Sequence, residues 1–345
     1  MNLYPEPPAL FTLLTENSAL SANRRNGASF MAKISLDPVS AMPLVMVCIV
    51  TRNRKSDLMR ALASCEAQSY QPFEIAVYDG GSTDGTREAV EQSFPGVRLI
   101  KVDADPGFTA LRNRAMHETE AAIIVSIDDD TYFTSKDILA QLVNDFRANP
   151  GAAAVAIPFI APRPPASGKS CSDDVSSDYV RLAAFTGCAC ALRRSAALAA
   201  GGYREIPGYQ KEDRDLSIRL LEAGFDIVLG KTDPAVHDFS SSRDFEKRYD
   251  QAIRTALVFD MLNVPLRYLP VRWILDTCGL LVYKFRPASI MRRLRAVVAG
   301  FRECWIHREL RKPVSLKAYH AYRRLPVHEP LQWSHAVPVP IGKKC

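Results

Sequence analysis

The stretch AAIIVSIDDDT, residues 121–131, decides how the chain is read. A short apolar run of strand type, ending at Ile127, leads straight into three consecutive carboxylates, Asp128, Asp129 and Asp130. That much like charge at a strand edge is costly unless a divalent cation or a bound cationic group compensates it, so the run points to a site for a metal carrying a phosphorylated ligand. Acidic residues also sit on solvated turns or cap helices, and a helix is expected to begin near Ser135. The rest of the chain separates these readings.

Upstream, from Leu44, β-type runs alternate with amphipathic stretches. LVMVCIV is followed by a helix through Leu58, Leu62 and Cys65, then FEIAVYD, a helix after Asp84, VRLIKVD and a helix from Phe108 to His117. With AAIIVSI this makes βαβαβαβ, which predicts a parallel sheet with helices on its faces. Ligands bind such sheets at the carboxyl ends of the strands, where Thr51, Asp79 and the three acids all fall. Downstream, residues 161–178 are rich in Pro, Ser and Gly and read as a mobile loop beside the site. A β-like stretch, Tyr179 to Leu192, precedes a helix ending at Gly201-Gly202. A further helix begins at about Glu212 with Leu216, Leu220 and Leu221 on one side, and a last strand, FDIVLG, precedes His237. Beyond Arg243 the pattern is helical, broken at Pro265, Pro270 and Pro287.

The composition of the 345 residues, 47% hydrophobic and 24% charged, is that of an ordinary globular protein and excludes overall disorder. It divides into an N-terminal arm (1–40), a main domain (41–242), a helical basic region (243–330) and a tail (331–345). No basic leader followed by a long apolar stretch is apparent at the start, which predicts a cytoplasmic chain. The 8 cysteines form no CxxC pair and no metal-ligand spacing; Cys188 and Cys190, two apart, are expected on one face of a strand as buried thiols. Charge is uneven. Residues 243–345 hold 20 Lys and Arg against 8 Asp and Glu, leaving 24 against 30 for the rest. The longest apolar stretch there, WILDTCGLLVYKF from Trp273, is interrupted by Asp276 and Lys284 and falls short of the roughly 20 residues a spanning helix needs. A helix on an anionic membrane surface, with Arg292, Arg293 and Arg295 near the headgroups, and a solvated basic bundle on the main domain both suit it. No nucleic-acid-binding motif is present, and no nucleic-acid partner is expected.

Four patterns stand in one order at strand ends: TRNR at Thr51, YDGGSTDGT at Tyr78, SIDDDT at Ser126 and KEDRDL at Lys211. Together with RNRAM at Arg112, TGCACALRRSAALAAGGYRE at Thr186 and EAGFDIVL at Glu222 they resemble the family 2 glycosyltransferases over roughly residues 43–240. The resemblance implies an α/β GT-A fold, Rossmann-like, with a mostly parallel sheet flanked by helices. It also implies a nucleoside diphosphate sugar donor, a glycan or lipid-linked acceptor, and Mg²⁺ or Mn²⁺ as cofactor.

The residue roles follow from the same resemblance. Asp79 contacts the nucleotide base, Thr51 and Arg54 line its pocket, Asp128 approaches the ribose, Asp130 binds the metal, and His237 is a further metal or phosphate ligand. Asp213 is the catalytic base, supported by Glu212 and Arg214, and Arg112, with Arg114 and Lys211, is a phosphate candidate. Alone, GGSTDG is also a plain strand-to-helix turn, and Glu212, Asp213 and Asp215 at a helix start also complement its dipole. One base acting directly predicts inversion at the anomeric carbon, since no second carboxylate nucleophile is evident. A sugar nucleotidyltransferase is the nearest enzymatic alternative, although TRNRKSD lacks the glycines of its phosphate loop. The non-enzymatic alternative is a nucleotide-sugar or glycan-binding protein.

Overall fold

The computed structural model describes residues 40, 42–161, 178–238, 245–282 and 290–331. The N-terminal arm short of residue 40, the loop expected over 161–178 and the tail after 331 therefore fall almost wholly outside the described residues.

The alternation is present. Val45–Thr51 (β1), Phe73–Asp79 (β2), Arg98–Lys101 (β3) and Ile123–Asp128 (β4) are separated by helices Lys55–Glu66 (α1), Thr86–Ser93 (α2) and Phe108–Glu118 (α3). Thr131–Phe133 (β5), Ile138–Ala148 (α4), Ala152–Ala156 (β6) and Phe159–Ile160 (β7) come next. After them lie Ala189–Arg193 (β8), Arg194–Ala199 (α5), Glu212–Glu222 (α6), Asp226–Leu229 (β9) and Ala235–His237 (β10). The main sheet runs β3-β2-β1-β4-β8-β6-β9, and β5-β10-β7 form a second, smaller sheet. Only β8 runs against its neighbours in the main sheet. This is the mostly parallel α/β sheet the alternation predicts.

Alternate residues of β1 serve opposite layers. Val45, Val47 and Ile49 pack with Leu58 and Leu62 of α1 and Phe146 of α4, whereas Met46 and Cys48 pack with Leu111 of α3 and Leu216 and Leu220 of α6. Two expectations are corrected here. Within Tyr179 to Leu192 only the end is strand: Leu182 bonds Ile227 on β9, and Ala183 and Ala184 bond the chain near Pro326 and His328, so those residues stitch edges together. Cys188 lies just ahead of β8 and joins the first layer, while Cys190 joins the second, so the two do not share a face. Cys48, Cys65, Cys188, Cys190 and Cys304 are buried free thiols, as expected.

The C-terminal region is helical: Phe245–Asn263 (α7), Leu269–Val282 (α8), Ile290–Ile306 (α9) and Leu316–Arg324 (α10). Its core, with Leu257, Leu262, Val297 and Tyr319, includes Ile218 of α6 and Tyr209, which fastens these helices to the back of α6. From α10 the chain returns to the main domain. His328 N–H bonds the Ala184 carbonyl, and the Thr186 N–H bonds His328 Nδ1 at 3.2 Å.

Candidate active site

The parallel register sets Thr51 of β1 beside Asp79 of β2, and Val50 beside Asp128 of β4, so three expected residues share one sheet edge. His237 arrives by a different route. The three-residue strand β10 pairs antiparallel with β5, which starts directly after the acids; His237 lies opposite Thr131, and the Asp238 N–H bonds the Asp130 carbonyl at 2.9 Å. His237 Nε2 is then 3.1 Å from Asp130 Oδ1 and 3.9 Å from Asp128 Oδ2. Asp128, Asp130 and His237 each offer a ligand atom within 4.8 Å of one another. Two carboxylates and one imidazole form a donor set that suits a divalent cation.

Asp129, which the sequence reading gives no role, anchors the first loop. It accepts hydrogen bonds from Thr51 Oγ1 at 2.9 Å and from Arg54 Nη1 at 3.1 Å, and the same Arg54 nitrogen reaches Asp130 Oδ2 at 2.9 Å. Burial lifts the Asp129 carboxyl to about 7 despite Arg54 and Thr51. Thr51 and Arg54 are thus bound to the acid cluster itself. The signal in the sequence was only a middle acid in an unbroken run of three.

Asp79 is fully buried. Its Oδ1 accepts the N–H groups of Gly81 and Ser82 at 3.2 and 3.0 Å and Arg87 Nε at 2.6 Å. Burial pushes its carboxyl up, but the Ser82 hydroxyl, the Ser82 N–H and Arg87 together outweigh it and the net direction is down. Gly81, at φ +87°, supplies the left-handed turn that brings those N–H groups round. Oδ2 is buried without a hydrogen-bond partner among the described residues.

Arg112 joins the two halves of the site. From α3 its Nη2 donates to Asp128 Oδ1 at 2.8 Å and to the Gly187 carbonyl at 3.2 Å, and its Nη1 lies 3.8 Å from Glu212 Oε1 at the start of α6. The approach is close, since a Cβ on Gly187 would stand 2.8 Å from Arg112 Nη1. The Gly187 N–H in turn donates to Asp213 Oδ2 at 3.3 Å, and the Arg214 N–H to Asp213 Oδ1 at 2.6 Å. Burial, then the mutual repulsion of the pair, lifts Glu212 to about 8 against the pull of Arg112; burial also raises Asp213.

Of the remaining candidates, Arg214 acts on the acid pair, its charge pulling Asp213 down against burial, and Arg114 and Lys211 make contacts elsewhere. Arg214 is exposed, Arg114 bonds Glu118 at 2.6 Å on the surface of α3, and Lys211 lies 5.8 Å from the Phe259 ring centroid among the C-terminal helices. Asp215, the third acid of the run, is buried in a structural network. It pairs with Arg204, accepts Asn263 Nδ2 at 2.8 Å and takes Arg219 Nη2 at 2.8 Å, which ties α6 to α7.

Residues 46–197 match the family model described as Glycosyl transferase family 2. The chain is 29% identical over 96 residues to Glycosyltransferase AglE of Haloferax volcanii, covering 26% of this chain and 32% of that protein. It is 30% identical over 127 residues to an N-acetylglucosaminyltransferase of Azorhizobium caulinodans, covering 34% and 31%. The aligned segment thus spans about a third of the length of either relative. In fold the chain resembles mannosyltransferase PcManGT from Pyrobaculum calidifontis, solved in complex with GDP-Man and Mn²⁺. The TM-score is 0.52 at 18% identity, over 85% of this chain and 83% of that one.

Proposed function

We propose, from the match of residues 46–197 to glycosyl transferase family 2, that the protein is an inverting, metal-dependent glycosyltransferase. It moves a hexose from a nucleoside diphosphate sugar to a hydroxyl of a glycan or lipid-linked acceptor in cell-surface polysaccharide or glycolipid synthesis, on the cytoplasmic side and peripheral to the membrane. The observation that carries this reading is the Arg112 bridge, because one guanidinium contacts Asp128 in the metal-type cluster and stands beside Glu212 next to the candidate base.

Asp128, Asp130 and His237 would hold the divalent cation, and such an ion neutralises charge on a departing nucleoside diphosphate. Asp79 offers its unpartnered oxygen to the base, with Thr51 and Arg54 shaping the pocket floor through Asp129. Arg112 steadies Asp128 toward the ribose and diphosphate. On the acceptor side, Asp213 takes the hydroxyl proton as the oxygen bonds to the anomeric carbon and the bond from that carbon to the phosphate oxygen breaks. The Gly187 and Arg214 N–H groups aim the Asp213 carboxylate, and Glu212 orients the acceptor. Attack from the face opposite the leaving group inverts the anomeric centre.

A thermal-shift screen of nucleoside diphosphates with Mn²⁺ tests the donor half. One base should stabilise the protein strongly, and Asp130→Asn should abolish that gain. Turnover of the corresponding sugar nucleotide, with product configuration read by NMR, tests the chemistry. Pyrophosphate release from nucleoside triphosphate and sugar-1-phosphate, without transfer, would replace this reading with a nucleotidyltransferase.

A further inference from the structure

The outward face of α9 carries an apolar ridge that folding does not require. Met291, Leu294, Val298, Phe301 and Trp305 recur at alternating steps of three and four along the helix, and all are exposed, Val298 and Trp305 at 69%. The opposite face already supplies the core contact. Ala296, Val297, Gly300 and Cys304 are buried, and Gly300 sits so close to α7 that a Cβ would lie 2.8 Å from Leu257 Cδ1. The ridge continues onto α8, where Phe301 meets Trp273 edge to face at 5.1 Å and the adjoining Ile274 and Leu275 are exposed. An apolar surface spread over two helices of a folded chain marks something that covers it.

The charges beside the ridge identify the cover. Arg295 and Arg302 follow Leu294 and Phe301 by one residue, so they line one flank of the stripe, exposed and without a carboxylate partner among the described residues. Arg308, in the turn after the helix, stacks over Trp305 at 4.4 Å and pairs with Glu309 at 3.5 Å, so the unpaired charge of the flank, among the described residues, is that of Arg295 and Arg302. The sequence expectation needs correcting in detail: Arg293 is buried and Arg292 pairs with Asp250 at 3.0 Å, so of that trio Arg295 alone is exposed. An anionic bilayer surface satisfies both elements, taking the aliphatic and indole groups below the headgroups and the guanidiniums among the phosphates. Among the described residues no helix is long and apolar enough to cross a membrane, which suits a helix lying in the interface.

We propose that the α9 ridge, extended by Ile274 and Leu275 of α8, docks this protein on anionic lipid. The proposal gives the peripheral placement inferred above a specific surface, and it does not depend on the transfer chemistry. The full-length protein should float with phosphatidylcholine vesicles containing phosphatidylglycerol and bind them less at high salt. Val298→Asp should weaken binding at least about tenfold, as expected for a charge in the apolar layer. It should leave the thermal melt and donor turnover unchanged, because Val298 lies on the surface. The emission of Trp305, isolated by comparison with Trp305→Phe, should shift to the blue on vesicles. No vesicle binding by the wild type, equal binding by Val298→Asp, or an unshifted Trp305 would each overturn the proposal. So would a dimer in sedimentation that Val298→Asp dissociates, since a second copy would then be the cover. Loss of donor turnover in Asp213→Asn with vesicle binding intact keeps the two readings separate.

Discussion

Asp79 at the end of β2 and the Glu212–Asp213 pair at the start of α6 are acids largely withdrawn from water, yet they are pushed in opposite directions. Burial raises the pKa of each. Around Asp79 the Ser82 hydroxyl, the Ser82 N–H and the Arg87 guanidinium outweigh that cost. Around Glu212 the nearest guanidinium nitrogen is 3.8 Å away on Arg112, whose other nitrogen already serves Asp128, and the neighbouring acid adds repulsion. The supply of donors, rather than depth, decides the state of the carboxylate. One end of the site therefore holds a fixed charge suited to gripping a ligand, and the other holds a group able to exchange a proton near neutral pH.

The contrast breaks most visibly at Asp213. Replacement by Asn keeps the shape and the acceptor for the Gly187 N–H but removes the basic oxygen, so glycosyl transfer should fall about 10²- to 10⁴-fold. Nucleoside diphosphate binding, followed by thermal shift, should be unchanged. An Asp213→Asn variant transferring at the parent rate would mean that α6 contributes only structure. A milder test uses pH. With its carboxyls raised, the pair needs a more alkaline medium to reach the ionised form, so kcat/KM should climb about tenfold per pH unit below its apparent pKa. The limb should sit above the ordinary carboxylate range, because burial raises the Asp213 carboxyl. A profile flat from pH 5 to 8 would contradict it.

How far these two ends were readable from sequence differs in the same way. Asp79 and Asp128 end short apolar strands, and hydrophobic periodicity alone puts them on the sheet edge, as the register confirms. The start of α6 at Glu212 was also legible, from a charged first turn and the spacing of Leu216 and Leu220. His237 and Arg112 were expected at the site only through the family resemblance, because what places them is long-range pairing. β10 is three residues long and carries no periodic signal, so nothing local places His237 opposite Thr131. Nor does anything near Arg112 announce that its guanidinium stands between Asp128 and Glu212. The antiparallel insertion of β8 and the return of residues 326–331 to the main domain are likewise products of packing between segments far apart in the chain. Arg114 shows the converse limit, since a neighbour two residues from Arg112 points into solvent.

Stability sharpens the comparison with smaller effects. At Asp79 the folded state favours the ionised form, so its contribution is present above the ordinary value of 3.8 and is lost as pH falls through the lowered folded value. Asp79→Asn gives up a charge-assisted bond from Arg87, and at pH 7 it should cost roughly 1.5–3 kcal/mol in urea denaturation. The deficit should shrink in acid, where the parent loses the same contribution.

Glu212→Gln should do the reverse, and more weakly. Here the folded value, about 8, lies above the ordinary 4.5, so at pH 4 the side chain is protonated in both states and the substitution should be close to neutral. Between those two values the unfolded chain sheds its proton while the folded chain must retain it or bury a second charge beside Asp213. The parent therefore loses stability progressively through that window, and the loss is complete above it. Gln cannot ionise, so the variant should gain on the parent as pH rises, on the order of 1 kcal/mol at pH 8, because replacing a poorly paired buried charge by a neutral isostere is commonly stabilising. Urea melts of both proteins at pH 4 and pH 8 give the difference directly. A Glu212→Gln variant that is less stable than the parent at pH 8 would show that Arg112 pairs with Glu212 strongly enough to hold it ionised. The α6 end would then be a second fixed-charge site like Asp79, leaving Asp213 alone to move the proton.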